Sequence, residues 1–263
     1  MELTVGSRTV TFGIPDTAGD IGIQVGAGID SAVTLYVVAK YLNDTSSTKK
    51  LFIFNRYQTT EFSTSETTYN KQNQRSRTSN IIDYVQDAFP DVNWHGSLLS
   101  YNGDYDTATE TSKEADERIR NPLMREHNIT HLINGRTITY LTEDELTALD
   151  TPDAYPTYRA GHISQMKRHK ATWERLRANG DIQNNLANNA IDSGKHDETT
   201  DNPWTYRIQK PWAAVDKKFL TDLCSQWSIT DLLDLTISCW TDDTPPCQKC
   251  PGCKEKFKVL GKY

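Results

Sequence analysis

Residues 21–54 constrain the fold most tightly. IGIQV (21–25) reads as a strand, SAVTLYVVAKYL (31–42) as an amphipathic helix and LFIF (51–54) as a second, buried strand, with polar residues 43–50 as the turn. Strand, crossover helix and strand make one βαβ unit, and the alternation continues. A helix is expected over 78–89, stopped by Pro90, with a third strand over 92–99. A charge-laced helix follows over 113–127, and the strand ITHLIN (129–134) runs into Gly135. Alternation of this kind predicts an α/β fold: a mostly parallel sheet with helices on both faces. No fixed-period repeat competes with that reading.

The second half is less regular. Residues 142–156 are acidic and contain proline, 161–179 look helical, and 184–202 are rich in Asn, Asp, Ser and Thr, as in an exposed loop. A helix is expected over 217–227 and a short apolar run over 232–237, before a cysteine cluster. The 263 residues suit one large domain over 1–202 with inserted polar loops, plus a helical, cysteine-bearing region over 203–263. Apolar residues make up 36% of the chain, against ~45–50% in a typical domain, which implies a modest core and long polar loops. The net charge of −6 opposes generic attraction to phosphate backbones or anionic membranes. No apolar run approaches the ~20 residues of a membrane span, and the first 13 residues lack a basic start and an apolar core. A soluble cytoplasmic protein is expected.

Two motifs carry chemistry. Gly26, Ala27, Gly28, Ile29, Asp30 and Ser31 lie between the first strand and its helix. Small residues there let backbone amides approach an anion, the helix N-terminus adds partial positive charge, and Ser31 can cap the helix or donate to phosphate. Asp30 would repel a phosphate unless a metal ion accompanies it. The plainer alternative is a glycine-rich turn with an Asp–Ser cap. The second motif is Cys239-x7-Cys247-x2-Cys250-x2-Cys253. Four thiolates in fifteen residues can close a tetrahedral shell around structural zinc, and the Cys-x2-Cys-x2-Cys run leaves an iron–sulfur cluster as the alternative. Disulfides would crowd into one short tail. Cys224, on a helical stretch, reads as a small buried apolar residue.

Together these motifs resemble the 7-cyano-7-deazaguanine synthase family of the N-type ATP pyrophosphatase (PP-loop) superfamily. Three more stretches agree in order. Lys210-Pro211-Trp212-Ala213-Ala214-Val215-Asp216-Lys217 is similar to the family's T-P-L-x-x-L-x-K. Thr236-Ile237-Ser238-Cys239-Trp240 is similar to T-x-S-C-[YW], and Tyr155-Pro156-Thr157-Tyr158-Arg159 to Y-P-D-C-R. The resemblance implies an adenine nucleotide alpha hydrolase-like fold and an ATP-dependent carbon–nitrogen ligase. Such an enzyme adenylates a carboxylate of a 7-deazaguanine derivative and aminates it to an amide or nitrile, as in queuosine biosynthesis. It implies ATP, Mg²⁺ and Zn²⁺ as cofactors. Gly26 to Ser31 would cradle pyrophosphate, Asp30 would hold Mg²⁺, and Lys217 would neutralise developing charge. Thr157, Arg159 and Trp240 would contact the substrate, Arg159 by clamping its carboxylate and Trp240 by stacking on its ring.

Departures from the family matter too. The first serine of Ser-Gly-Gly-x-Asp-Ser is Gly26 and its first glycine is Ala27, which removes a hydroxyl and adds a methyl. Thr157 and Tyr158 replace Asp and Cys, removing a charged acceptor for a guanine-like edge. A different substrate, such as an RNA base or a protein carboxyl-terminus, therefore stays open, as does a non-catalytic nucleotide-binding module. The partners implied are a carboxylated deazapurine and ammonia, with no membrane. The oligomeric state, monomer or homodimer, is left open. The lysines at 249, 254, 256, 258 and 262 read as a solvated basic face, with contact to substrate phosphate or nucleic acid as the alternative. His127 and His131, four apart across a helix–strand junction, read as ordinary structural residues rather than a metal pair.

Overall fold

The structure is a computed structural model that describes residues 1–57, 72–95, 99–102, 112–150, 162–178, 192–197, 204–239 and 245–263. A hairpin, β1 (Glu2–Val5) and β2 (Arg8–Thr11), precedes the main sheet. The sheet contains β3 (Asp20–Gln24), β4 (Leu51–Tyr57), β5 (Leu99–Asn102), β6 (Ile129–Asn134), β7 (Asp192–Asp197) and β8 (Trp204–Gln209), ordered β5-β4-β3-β6-β8-β7. All neighbours are parallel except the edge pair β7–β8. The helices are α1 (Ile29–Asp44), α2 (Gln72–Ala88), α3 (Ser112–Glu126), α4 (Glu143–Ala148), α5 (His162–Ala178), α6 (Lys217–Gln226), α7 (Thr230–Asp234) and α8 (Pro251–Leu260).

Alternation within β4 shows why helices cover both faces. Leu51 and Ile53 join one buried cluster with Ile21, Ile23 and residues of α1, α2, α6 and α7. Phe52 and Phe54 join another, with Leu132 and Ile208 of the sheet and Met124 of α3. Strands buried on both faces read as continuous apolar runs, as LFIF does. The α/β class, with a mostly parallel sheet, thus follows the sequence pattern. Among the described residues no helix is long and apolar enough to cross a membrane.

Several boundaries move. α1 starts two residues before the expected helix, so Gly28 is its N-cap, without a side-chain cap, and Ser31 falls inside the first turn. α2 begins six residues earlier than expected. The third parallel strand lies at 99–102 rather than 92–99; at Trp94 there is only an isolated bridge to Leu51. The expected loop over 184–202 contains β7, an edge strand that pairs on one side and so needs no apolar run. The boundary at residue 202 falls between β7 and β8, two paired strands of the sheet. The β1–β2 hairpin lies outside the alternating pattern, with ELTV and RTVT flanking Gly6, which has a positive φ of 58°.

Order in the sheet reverses between β3 and β6. From β3 the chain winds outward through β4 and β5; from β6 it winds the other way to β8. Such a switch point opens a crevice at the carboxyl ends of the two central strands, where ligands bind in open α/β sheets. Gly135, just beyond β6, permits the close approach there. A Cβ on it would lie 2.0 Å from Thr34 Oγ1 and 2.6 Å from the Asp30 carbonyl oxygen. Thr34 is pinned in turn, accepting a 2.7 Å hydrogen bond from the buried Trp212 indole and donating to the Asp30 carbonyl at 2.5 Å. Gly135→Ala is therefore expected to cost roughly 1–3 kcal/mol or more in chemical denaturation, because the helix backbone cannot yield cheaply.

Candidate functional site

Asp30 leaves the first turn of α1 and meets residues from two other elements. Its Oδ2 accepts a 3.0 Å hydrogen bond from Thr137 Oγ1, just past β6. Its Oδ1 is buried without a hydrogen-bond partner, the nearest cation being Lys217 Nζ at 3.8 Å. Lys217 is the first residue of α6. Asp216 caps that helix through the Phe219 amide and pairs with Arg8 of the hairpin at 3.0 Å, fixing the point at which Lys217 emerges. Lys217 Nζ donates to Glu255 Oε2 at 2.5 Å, and Glu255 Oε1 accepts from the Tyr140 amide at 2.6 Å.

One buried ammonium thus sits between two carboxylates. Burial raises the Asp30 pKa, opposed by the Lys217 charge, while the Glu255 charge raises it further. Burial pulls Lys217 down, but the Asp30 and Glu255 charges outweigh it and hold the ammonium above the ordinary lysine range. The surplus negative charge and the orphaned Oδ1 suit a divalent cation; an oxygen-lined position of this kind is what Mg²⁺ takes. The cluster borders a cleft of 230 Å³ that Arg136, His169 and Lys210 also line. Burial first, then the charges of Arg136, Arg168 and Lys210, lower the His169 pKa, so cations gather around that side chain. Carboxylates and cations lining one cleft are the two charge types that a metal–polyphosphate needs.

Beside this cluster, the glycine-rich turn leaves the amides of Ile29, Asp30 and Ser31 in the first turn of a 16-residue helix whose N-cap supplies no side chain. The first internal helix bond runs from the Ala32 amide to the Gly28 carbonyl. Gly26 and Gly28 have room above them: a Cβ on Gly26 would lie 3.7 Å from Ser31 Oγ, and one on Gly28 would meet nothing within 4 Å. Ala27 is buried, and its carbonyl accepts a 2.7 Å bond from the Ile237 amide. Its methyl therefore turns into the protein, and its backbone ties the turn to the Thr236–Ile237–Ser238–Cys239 stretch.

The four cysteines converge. The sulfurs of Cys239, Cys247, Cys250 and Cys253 lie within 4.8 Å of one another, with Cys247 and Cys253 at 3.8 Å. A tetrahedron of ~2.3 Å metal–sulfur bonds has edges of ~3.8 Å. Backbone amides stabilise the thiolates: Cys247 N donates to Cys239 Sγ at 3.4 Å, Cys250 N to Cys247 Sγ at 3.4 Å and Cys253 N to Cys250 Sγ at 3.5 Å. The last of these also caps α8, whose second turn carries Glu255.

Thr157, Tyr158, Arg159 and Trp240 lie outside the described residues, so the expected substrate contacts rest on the sequence alone. Glu255, Thr137, Arg136, His169 and Lys210 were not anticipated. Thr137 and Arg136 had a signal, since they follow a strand and a glycine at a sheet's carboxyl edge. The lysine run is not one basic face. Lys256 is buried, Lys258 pairs with Glu145 at 2.6 Å and Lys262 pairs with Asp234, while Lys249 and Lys254 are exposed. His131 is buried and bonded to Gln209 at 2.8 Å, whereas His127 packs on Phe52 beside His95, so the two histidines serve separate places. Cys224 is fully buried, its thiol pushed up to about 12 by burial, which makes it inert.

Fold and site thus define a doubly wound α/β protein with a charged crevice at its switch point and a cysteine cluster suited to one metal ion. No protein-family model matches the chain, and no curated protein matches it. Among solved structures, the U34-tRNA thiolase NcsA from Methanococcus maripaludis with its 4Fe-4S cluster aligns with 94% of this chain and 72% of its own length, at 10% identity and a TM-score of 0.43.

Proposed function

We propose that the protein is an ATP-dependent ligase of the 7-cyano-7-deazaguanine synthase kind, which adenylates a small carboxylic acid and aminates it. The observation that carries this reading is the Asp30–Thr137–Lys217–Glu255 cluster beside an uncapped helix N-terminus, in a cleft that Arg136, His169 and Lys210 also line. Three of the stretches behind the resemblance come together here although they are far apart in sequence: the 26–31 turn, Lys217 beside Asp30, and Ile237, whose amide bonds to the Ala27 carbonyl. A carboxylate oxygen attacks the α-phosphorus of ATP, the bond to the β,γ unit breaks and pyrophosphate leaves. Ammonia then adds to the acyl carbon and AMP departs, giving the amide and one proton. By the resemblance, a second ATP activates the amide oxygen, whose loss as AMP leaves a nitrile.

In this reading the amides of residues 29–31 receive phosphate oxygens, and Lys217, held rigidly by Glu255, offers its remaining N–H groups to charge growing on the departing pyrophosphate. Asp30 Oδ1 is the atom that would hold Mg²⁺, which supplies charge neutralisation of the phosphates when bound. Zinc is the metal we assign to the cysteines. Four sulfurs all within 4.8 Å of one another support one tetrahedral ion, whereas an iron–sulfur cluster divides the thiolates among two or more irons and spreads some of the sulfurs farther apart.

The test combines ATP, Mg²⁺, ammonia and 7-carboxy-7-deazaguanine, with pyrophosphate measured and the product identified by mass. Pyrophosphate release that depends on the acid is expected. ATP binding with no turnover on any carboxylate would instead mark a nucleotide-binding module. ATP with Mg²⁺ is also expected to slow hydrogen exchange over residues 25–35, and much less so without Mg²⁺. Equal protection in both conditions counts against the role given to Asp30.

A further inference from the structure

A second cleft, of 510 Å³, opens between the first half of α2, residues 234–239 and α8. That volume is typical of a small-molecule site. Arg77, Asn80, Thr236, Ile237, Lys256 and Tyr263 are among its lining residues. Lys256 is the unusual one, because only 6% of it is exposed. Its Nζ donates to the Thr236 carbonyl at 2.6 Å, and among the described residues it has no carboxylate partner. Asp234, which also lines the cleft, has its carboxylate engaged by Lys262 and its carbonyl by Arg77 at 3.4 Å. Cys239 and Cys253 of the metal set also line the cleft, but an ammonium has three donors and only the Thr236 carbonyl is bonded to this one, so Lys256 keeps donors for a ligand, with the Arg77 guanidinium on the same cleft.

We propose that this cleft binds the carboxylate substrate, with Lys256 and Arg77 receiving its negative charge. The inference rests on the adenylation reading above and adds the acceptor's position to it. The cleft and the phosphate cradle share a wall: Ile237 lines the cleft, and its amide bonds to the Ala27 carbonyl inside the glycine-rich turn. A carboxylate held there lies beside the turn. That leaves the first cleft, with its own carboxylates Asp30 and Glu255, to the metal–polyphosphate. A planar heteroaromatic acid suits the polar and apolar mixture of Asn80, Ile237 and Tyr263.

Titration calorimetry on the metal-loaded protein tests this with three probes: 7-carboxy-7-deazaguanine, its uncharged nitrile counterpart, and ATP with Mg²⁺. The parent is expected to bind the acid at least ten-fold more tightly than the nitrile. Lys256→Met should erase that preference by weakening the acid ten-fold or more, leaving the nitrile, ATP–Mg²⁺ and the metal content unchanged. Lys256→Arg should retain it. Arg77→Met, on an exposed residue, should weaken the acid several-fold and keeps the test available if Lys256→Met does not fold. Unchanged acid binding in both Met variants overturns the proposal. So does a fall in metal content, which would make Lys256 a counter-ion for the thiolates, and so does a loss of ATP–Mg²⁺ affinity in place of acid affinity, which would make the cleft a nucleotide subsite. A parent that binds ATP–Mg²⁺ but not the acid overturns the cleft alone. Lys256-dependent acid binding without any ATP binding upholds the cleft and overturns the adenylation reading, and binding of neither overturns both.

Discussion

Cys250→Ser is expected to reduce bound metal from about one ion per chain to none, and to lower stability by several kcal/mol. Cys250 is both a member of the four-sulfur set and the residue whose sulfur caps α8. α8 has only ten residues, too few to persist without tertiary anchors. Metal binding at such a site is coupled to folding, so its free energy is lost with the ligand. The damage should reach the crevice, because Glu255 and Lys256 stand in α8 immediately beyond the last cysteine. With Glu255 displaced, Lys217 loses its 2.5 Å partner and the Tyr140 amide loses its acceptor. Metal analysis and denaturation check the first part; pyrophosphate release, expected to fall with metal content, checks the second. Cys224→Ala serves as the control, since Cys224 is buried in the main core away from the cluster and its loss should leave the metal in place. A metal-free Cys250→Ser protein with parental stability would sink the structural role.

How much of this was legible in the sequence depends on the range of the signal. The buried strands LFIF and ITHLIN and the apolar helix α1 announce themselves by local periodicity, so the class of the sheet and its central strands could be read. The cysteine cluster was legible because all its ligands lie within fifteen residues. Asp30 and Lys217 were named as site residues, but nothing local showed that they stand 3.8 Å apart; only the winding of the sheet brings α1 and α6 together. Glu255 was missed for a related reason. In sequence it is one acid among lysines, which reads as a solvated helix face, whereas α8 packs on α6 and turns Glu255 inward to 2% exposure. Strand β7 was hidden because an edge strand with one neighbour carries no apolar signature. Helix starts moved because a glycine can cap α1 without the side chain that usually marks a cap.

Lys217→Met is expected to lower pyrophosphate release by ~10²-fold or more, the typical loss when one preorganised donor to a developing anion is removed. It should also destabilise the protein, by about 3 kcal/mol, because Asp30 and Glu255 are then left buried together without their cation. Asp30→Asn separates the two consequences. Burial raises the Asp30 pKa in the folded protein above its ordinary 3.8, so the folded chain holds the proton more tightly than the unfolded one. The parent must therefore lose stability as pH rises from 3.8 through the raised native value, and carry that cost at neutral pH. Asparagine has no such proton to lose, keeps the shape that Thr137 bonds, and leaves Glu255 to hold Lys217. Asp30→Asn should accordingly match or exceed the parent in stability at neutral pH, lose the parent's pH dependence in that acidic window, and still fail in Mg²⁺-dependent ATP binding and turnover. Denaturation curves across pH and a Mg²⁺ titration of pyrophosphate release measure both. A variant that is less stable yet turns over normally would show that Asp30 is a structural partner of Lys217 and nothing more.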